Sequence, residues 1–157
     1  MDKLLKLLDS NAHLTNAQLA VMLELSENEV EERLHTLEKA GVVRGYKALI
    51  DWDKTDREYV TAIIDLQIAP SKDRGFDAVA ETIMAFDEVE SVTLMSGGYD
   101  LSVRLTGRSF RDVAMFVAQR LSPLDGVLST ATHFVLKTYK ERGVLFTDEE
   151  KDERGQL

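Results

Sequence analysis

The sequence predicts an α+β protein with two domains, an N-terminal helical domain and a C-terminal domain of alternating strands and helices. Two observations support this fold class. The first forty residues carry leucines at helical spacing and two capping boxes, which mark the starts of helices. Beyond residue 58, runs rich in β-branched residues alternate with helical patterns in the order β-α-β-β-α-β.

The N-terminal domain is predicted to contain three short helices. Leucines at positions 4, 5, 7 and 8 form an apolar stripe along the first helix. Thr15 and Gln18 form a capping box that starts the second helix, and Ser26 and Glu29 form another that starts the third. Two helices joined by so short a turn have the organisation of a helix-turn-helix.

The first domain is expected to end in a wing. Gly41 can end the third helix in a left-handed conformation, and residues 42–50 alternate partly between apolar and polar around Gly45. This pattern predicts a tight β-ribbon, so residues 1–51 together predict a winged helix-turn-helix domain. The charged segment 52–58 lacks periodicity and is predicted to be a linker.

Residues 59–142 are predicted to form a ferredoxin-like βαββαβ domain. This order gives a four-stranded antiparallel sheet with two helices on one face. The other face then requires a partner, and a second copy of the protein is the natural cover. Gly97 and Gly98 are expected at the hairpin between the second and third strands, and Ser109 is expected to cap the second helix of this domain. Residues 143–157 are predicted to be a charged tail.

Composition restricts the possible functions. The chain has no cysteine, which excludes disulfides, thiolate zinc sites and cysteine nucleophiles. Its three histidines are far apart and no serine has a matching histidine signature, so we expect no enzyme, no metal site and no cofactor. No run of about eighteen apolar residues and no signal-type start is present, so the expected location is cytoplasmic with no membrane partner.

Three motifs, in order along the chain, resemble those of the Lrp/AsnC family, the leucine-responsive or feast/famine transcriptional regulators. They are Leu34-x-x-Leu37-Glu38-x-x-Gly41-Val42-Val43-x-Gly45-Tyr46, Gly97-Gly98-Tyr99-Asp100-Leu101 and Thr130-Ala131-Thr132. The resemblance spans almost the whole chain. It implies that the first domain binds double-stranded promoter DNA and that the second forms a homo-oligomer, a dimer that assembles to a tetramer or octamer. It also implies a small-molecule effector between dimers, typically an amino acid.

The resemblance places the effector at the glycine hairpin and the last strand. The residues it implies are Gly97, Gly98, Tyr99 and Asp100, with Thr130 and Thr132 facing them from the neighbouring strand. Their chemistry suits an amino acid, because a carboxylate can accept from an ammonium while glycine amides and threonine hydroxyls donate to a carboxylate. A structural interpretation stays open for each: the glycines can simply make a turn, Asp100 can bond neighbouring backbone amides, and the threonines can be strand formers.

The third helix is predicted to read DNA with its N-terminal turns, although most of its outward positions are acidic. The predicted DNA-contacting residues, including the wing, are Ser26, Glu27, Asn28, Glu31, Glu32, Arg33, His35, Arg44 and Lys47. Asn28 can read an adenine edge and a glutamate can accept from cytosine, while the basic residues touch phosphates. Alternatively, the acids only stabilise a solvated helix, Arg33 pairs with Glu29, and His35 is a surface residue.

The charge of the first domain leaves a second function open. Residues 1–50 contain six basic and eight acidic residues, a net charge of −2 within a chain of net charge −9. Phosphate binding rests mainly on lysine and arginine, so one such domain should bind DNA weakly and gain from several linked copies. The leading hypothesis is an effector-responsive transcriptional regulator. The alternative is an amino-acid sensor or oligomeric adaptor with weak or no DNA binding.

Overall fold

The computed structural model describes residues 2–147, and the chain divides into two compact units between Leu49 and Ile50. The first unit contains three helices, α1 (Lys3–Ser10), α2 (Asn16–Leu23) and α3 (Glu27–Lys39). Leu4, Leu19, Ala20 and Val30, one or more from each helix, form its buried core. The three predicted helices and the helix-turn-helix are therefore confirmed.

Both predicted capping boxes are present and explain where α2 and α3 begin. The Thr15 hydroxyl accepts from the Gln18 amide while the Gln18 side chain accepts from the Thr15 amide, and Ser26 and Glu29 make the same reciprocal pair. Between them, Glu24 ends α2 in the left-handed conformation, with φ of 57° and ψ of 42°. A side chain in this conformation costs about 1 kcal/mol, which the folded unit absorbs.

The β-ribbon predicted for residues 42–50 does not form: that segment contains no strand. Gly41 ends α3 with φ of 68°, as expected, but the amides of Val42 and Val43 both donate to the Leu37 carbonyl. The first two backbone N–H groups of this segment therefore cap the end of α3. With those donors used, no ladder pairs the two sides of Gly45.

The second unit has the predicted strand and helix order. Its elements are β1 (Val60–Ile68), α4 (Asp77–Met84), β2 (Val89–Leu94), β3 (Leu101–Gly107), α5 (Phe110–Phe116), and β4 (Val127–Phe134). The helix that Ser109 caps continues past α5 as a π turn at Val117–Leu121. The strands form one antiparallel sheet in the order β2-β3-β1-β4, which confirms the ferredoxin-like fold.

The two faces of this sheet differ sharply in composition. Alternate residues of β1 and β3, such as Ile64, Leu66 and Leu105, are fully buried against α4 and α5. The residues between them form the second face, which we call the open face. It carries Thr61, Ile63, Asp65 and Gln67 from β1, Ser102, Arg104 and Thr106 from β3, and Ser129, Ala131 and His133 from β4.

Segments at both ends of the second unit are more structured than predicted. In the expected linker 52–58, a 3₁₀ turn (Trp52–Lys54) precedes Arg57, whose guanidinium carbon lies 4.7 Å from the Trp52 ring centre and 5.2 Å from that of Tyr59. Two short strands, β5 (Lys140–Glu141) and β6 (Val144–Leu145), form a hairpin across the predicted domain end. The start predicted for the charged tail 143–157 is therefore wrong, because residues 144 and 145 lie in this hairpin. Residues 148–157 of the predicted tail lie outside the described part of the chain.

Candidate DNA-binding helix and effector loop

Helix α3 and the segments that flank it present every predicted DNA-contacting residue to solvent. The buried Val30 and the half-buried Leu34 and Leu37 lie on the side that packs against the other two helices. All nine predicted contact residues are exposed, including Arg44 and Lys47 beyond the helix. This arrangement leaves the N-terminal turns of α3 free for a DNA groove, as in other helix-turn-helix domains.

The exposed surface of α3 is acidic. A shallow depression along it is lined by Asn28, Glu31, Glu32, Leu34, His35 and Glu38. Glu29 is bound in the capping box, and the pKa of its carboxyl is lowered first by the Ser26 amide, then by the Ser26 hydroxyl, with a smaller contribution from Arg33. Arg33 and Glu29 form no ion pair or hydrogen bond among residues 2–147, so the pairing expected by the structural alternative for Arg33 is not observed.

Beyond α3, Tyr46 and Arg44 lie back against the helix end instead of extending as a ribbon. The Tyr46 hydroxyl donates to Glu38 Oε1 at 3.0 Å, and partial burial together with this bond raises the tyrosine pKa. The Arg44 guanidinium lies over Gly41, where an added Cβ would come within 3.1 Å of it. Both basic residues that were assigned to the wing, Arg44 and Lys47, are exposed in a segment without strands.

The second predicted site centres on the loop between β2 and β3, at one end of the sheet. Gly97 adopts a φ of 136°, a conformation that side chains rarely tolerate. Asp100 is engaged by the backbone of β1: its amide donates to the Leu66 carbonyl at 2.9 Å, and its Oδ2 accepts from the Ile68 amide at 2.7 Å. One of the two Asp100 carboxylate oxygens therefore bonds a backbone amide, as the structural interpretation of this residue expected.

The free backbone donors of this loop are four consecutive amides. Within residues 2–147, the N–H groups of Ser96, Gly97, Gly98 and Tyr99 donate to no other group. All four residues are exposed. An anion that reaches the loop would meet unpaired amides, which bind carboxylates readily.

The two predicted threonines do not join this loop within one chain. Thr130 pairs with Leu66 and Thr132 with Ile64, so both threonines are on the helix-covered side of β4. Thr130 lies 3.5 Å from the Ser122 hydroxyl, between the two side-chain oxygens. Strand β1 separates β4 from β3, which puts the threonines about 10 Å from the strand that follows the loop.

Sequence reasoning missed Gln67 and Ser129, which the structure connects to the loop. Gln67 Nε2 donates to the Gly98 carbonyl at 3.1 Å, and Gln67 Oε1 accepts from the Ser129 hydroxyl at 2.7 Å. A single polar residue between Leu66 and Ile68 was the available signal. The strand pattern alone assigns such a residue to a solvated face and does not identify its partner.

The open face also carries charged pairs. His133 Nε2 lies 3.2 Å from Asp65 Oδ2, and Arg104 Nε lies 3.3 Å from Glu90 Oε2. The Tyr59 hydroxyl donates to the other oxygen of Glu90, and the tyrosine pKa is raised first by burial and then by this bond. These pairs involve residues of all four strands of the sheet.

Among residues 2–147, no cluster of three or more histidine, aspartate or glutamate side chains is arranged to hold a metal ion. The same residues include no helix with the length and apolar character needed to cross a membrane.

Comparison with protein families gives two matches that divide the chain as the structure does. Residues 3–44 match a winged helix-turn-helix DNA-binding family, and residues 61–145 match the Lrp/AsnC ligand-binding domain. The second match covers the four-stranded sheet from the second residue of β1 onward, including the loop at Gly97 and the strand that carries the threonines.

Individual proteins are similar over nearly the full length. The chain is 48% identical to the HTH-type transcriptional regulator YugG from Bacillus subtilis, over 97% of this chain and 92% of that protein. It is 27% identical to the leucine-responsive regulatory protein of Haemophilus influenzae, over 91% and 86% of the two chains. Among solved structures, a Neisseria meningitidis transcriptional regulator in complex with L-methionine is 30% identical, with a TM-score of 0.72 and coverage of 90% and 93%.

Proposed function

We propose that this chain binds specific promoter DNA and responds to an amino acid. It belongs to the Lrp/AsnC family of helix-turn-helix transcriptional regulators, and the proposal proceeds from that membership. The observation that carries the DNA part is α3, whose N-terminal turns are exposed while its apolar side packs into the first unit. The observation that supports the effector part is the loop of free amides at residues 97–99.

The proposed DNA contact combines base reading with few phosphate contacts. Asn28 offers both a donor and an acceptor to a base edge, and Glu31 or Glu32 can accept from a cytosine amino group. Arg33, His35, Arg44 and Lys47 supply the contacts to phosphates, and Ser26 and Glu27 lie at the helix start. Since this surface is acidic, one unit binds weakly, and useful affinity requires several linked units.

The proposed effector is an amino acid whose carboxylate meets the amides of residues 97–99. Asp100 retains one carboxylate oxygen without a partner among residues 2–147, and this oxygen can accept from the effector ammonium. L-Methionine is the first effector to test, because it is bound in the similar Neisseria regulator.

We further propose that the open face pairs with a second copy, giving dimers that assemble into tetramers or octamers. An antiparallel sheet covered on one side only commonly has such a partner. Strand β1 separates the strand of Thr130 and Thr132 from the strand that follows the loop, and we propose that these threonines contribute to the effector site at the loop of another copy.

The test uses the full-length protein and its own upstream DNA. We expect retardation of this DNA in an electrophoretic mobility shift at low salt and micromolar protein, with occupancy altered by the effector. Thermal-shift measurements with the twenty amino acids identify that effector, since a ligand that binds only the folded form raises its stability. Absence of retardation would overturn the proposed DNA binding. Absence of a thermal shift with every amino acid would overturn the proposed effector binding.

A sensor or adaptor that does not bind DNA is favoured by one observation, the acidic surface of α3. The double substitution Glu31→Lys with Glu32→Lys separates the two functions. A regulator should change its promoter occupancy, and its affinity should fall more steeply with salt, by about one unit of slope for each new phosphate contact. A sensor should leave expression of the target gene unchanged. Asp87→Lys with Glu88→Lys adds the same charge in the second unit and serves as the matched control.

A further inference from the structure

Gln67 bridges the effector loop and the last strand of the sheet. Its side chain lies on the open face of β1, between β3 and β4. One end of the amide donates to the Gly98 carbonyl and the other end accepts from the Ser129 hydroxyl, at 3.1 and 2.7 Å. Neither Gln67 nor Ser129 belongs to the motifs that identify the family.

The two partners fix the orientation of the Gln67 amide. The Gly98 carbonyl can only accept, so it requires the NH₂ end of the side chain. The remaining oxygen then faces Ser129, whose hydroxyl can donate to it. A reversed amide would place two acceptor oxygens together at Gly98.

Holding the Gly98 carbonyl also sets the direction of the next amide. The peptide between Gly98 and Tyr99 is trans and planar, so its C=O and N–H bonds point in opposite directions. Gln67 holds the carbonyl towards itself, and the Tyr99 N–H therefore points away from Gln67. That N–H has no acceptor among residues 2–147, whereas the next amide, of Asp100, is already bonded to Leu66.

We propose that Gln67 is a positioning residue that aims the Tyr99 amide at the carboxylate of the bound amino acid. This inference rests on the proposed effector function of the loop. A glycine pair leaves the loop free to rotate its peptide planes, and the Gln67 bond selects one orientation before the ligand arrives. Ser129 supports the selection because it holds the other end of the Gln67 amide.

A purely structural role for Gln67 gives a different result. If the bridge only stabilises the hairpin, its loss would weaken binding of all ligands equally. If it aims a donor at the carboxylate, its loss weakens binding of the free amino acid and spares an analogue without the carboxylate charge. The ratio of the two affinities therefore distinguishes the two roles.

Isothermal titration calorimetry measures the affinities of the full-length protein for L-methionine and L-methioninamide, and for each other amino acid that gives a thermal shift together with its carboxamide. For an amino acid that binds the wild type, we expect Gln67→Ala and Gln67→Glu to reduce the acid-to-amide affinity ratio about tenfold, the effect of losing one hydrogen bond to a charged group. Gln67→Glu places a carboxylate against the Gly98 carbonyl and should have at least the effect of alanine. Ser129→Ala should have a smaller effect in the same direction.

Gln119→Ala is the matched control, since this exposed glutamine lies outside the sheet, and it should leave the ratio unchanged. Unliganded melting temperature and solution mass are recorded for each variant, so that loss of folding or assembly is recognised separately. An unchanged ratio in folded Gln67 variants would overturn the inference while leaving the effector function intact. If the wild type binds none of the twenty amino acids, the effector function and the inference fall together.

Discussion

Among residues 2–147, four buried side chains form the core of the helix-turn-helix unit, whereas thirteen fill the layer between the sheet and the helices in the second unit. A small core contributes little stability, so the first unit depends more on local features such as its capping boxes and its turn. The second unit depends on its core and tolerates loss of a local feature more easily. The comparison implies that mutations should act through different mechanisms in the two units.

The largest expected effect is in the sheet core. Ile64→Ala removes a fully buried side chain from the centre of β1 and should lower the free energy of unfolding of the second unit by about 3 kcal/mol. Trp52 is the only tryptophan and lies in this unit, so its fluorescence during urea unfolding measures the change.

Ile63→Ala is the matched control, because the neighbouring side chain lies on the open face and is only partly buried. It should shift the fluorescence midpoint much less than Ile64→Ala and, if the open face pairs with a second copy, weaken self-association. Equal shifts for the two variants would contradict the assignment of the two faces.

A smaller effect is expected at the turn of the first unit. Glu24 is held at a φ of 57°, so Glu24→Gly should stabilise this unit by about 1 kcal/mol through relief of that conformation. Circular dichroism at 222 nm, which records helix loss, should show a higher melting temperature. Glu24→Ala removes the same charge without relieving the conformation, and an equal gain from alanine would argue against the backbone explanation.

The parts of the structure that depend on residues close together in the sequence were predictable from the sequence. Ser26 and Glu29 are three residues apart, and their pairing requires only the helix that they start. The βαββαβ order followed from periodicity in the same way, and it determined the sheet. The prediction of a ribbon after Gly41 was wrong, because the first amides of that segment are taken by the Leu37 carbonyl of the preceding turn.

The candidate site was predicted only in part, for a related reason. The loop at Gly97 and Gly98 was found from its glycines, but the position of Thr130 depends on strand order. The resemblance placed the threonines opposite the loop, whereas β1 lies between them in one chain. The role of Gln67 could not be seen in the sequence, since its partners Gly98 and Ser129 are 31 and 62 residues away.

The smallest predicted effect concerns the pH dependence of the first unit. The Glu29 carboxylate accepts from the Ser26 amide at 2.8 Å, which is the main reason that its pKa lies below the usual value of 4.5. A lowered pKa in the folded state means that this stabilisation is complete above the unfolded value and is lost as pH falls through the folded value. The helix-turn-helix unit should therefore lose stability as the pH falls through the usual glutamate value of 4.5 and below it.

Glu29→Gln should reduce this loss, because glutamine accepts the same hydrogen bond and does not titrate. The first capping box shows that the replacement is compatible with the fold, since Gln18 already fills the equivalent position beside Thr15. Gln18→Glu is the reciprocal change and should increase the loss in the same pH range. Melting temperatures by circular dichroism at pH 6 and pH 3.5 measure both changes. If the two substitutions shifted the pH dependence in the same direction, the capping carboxylate would not be its source.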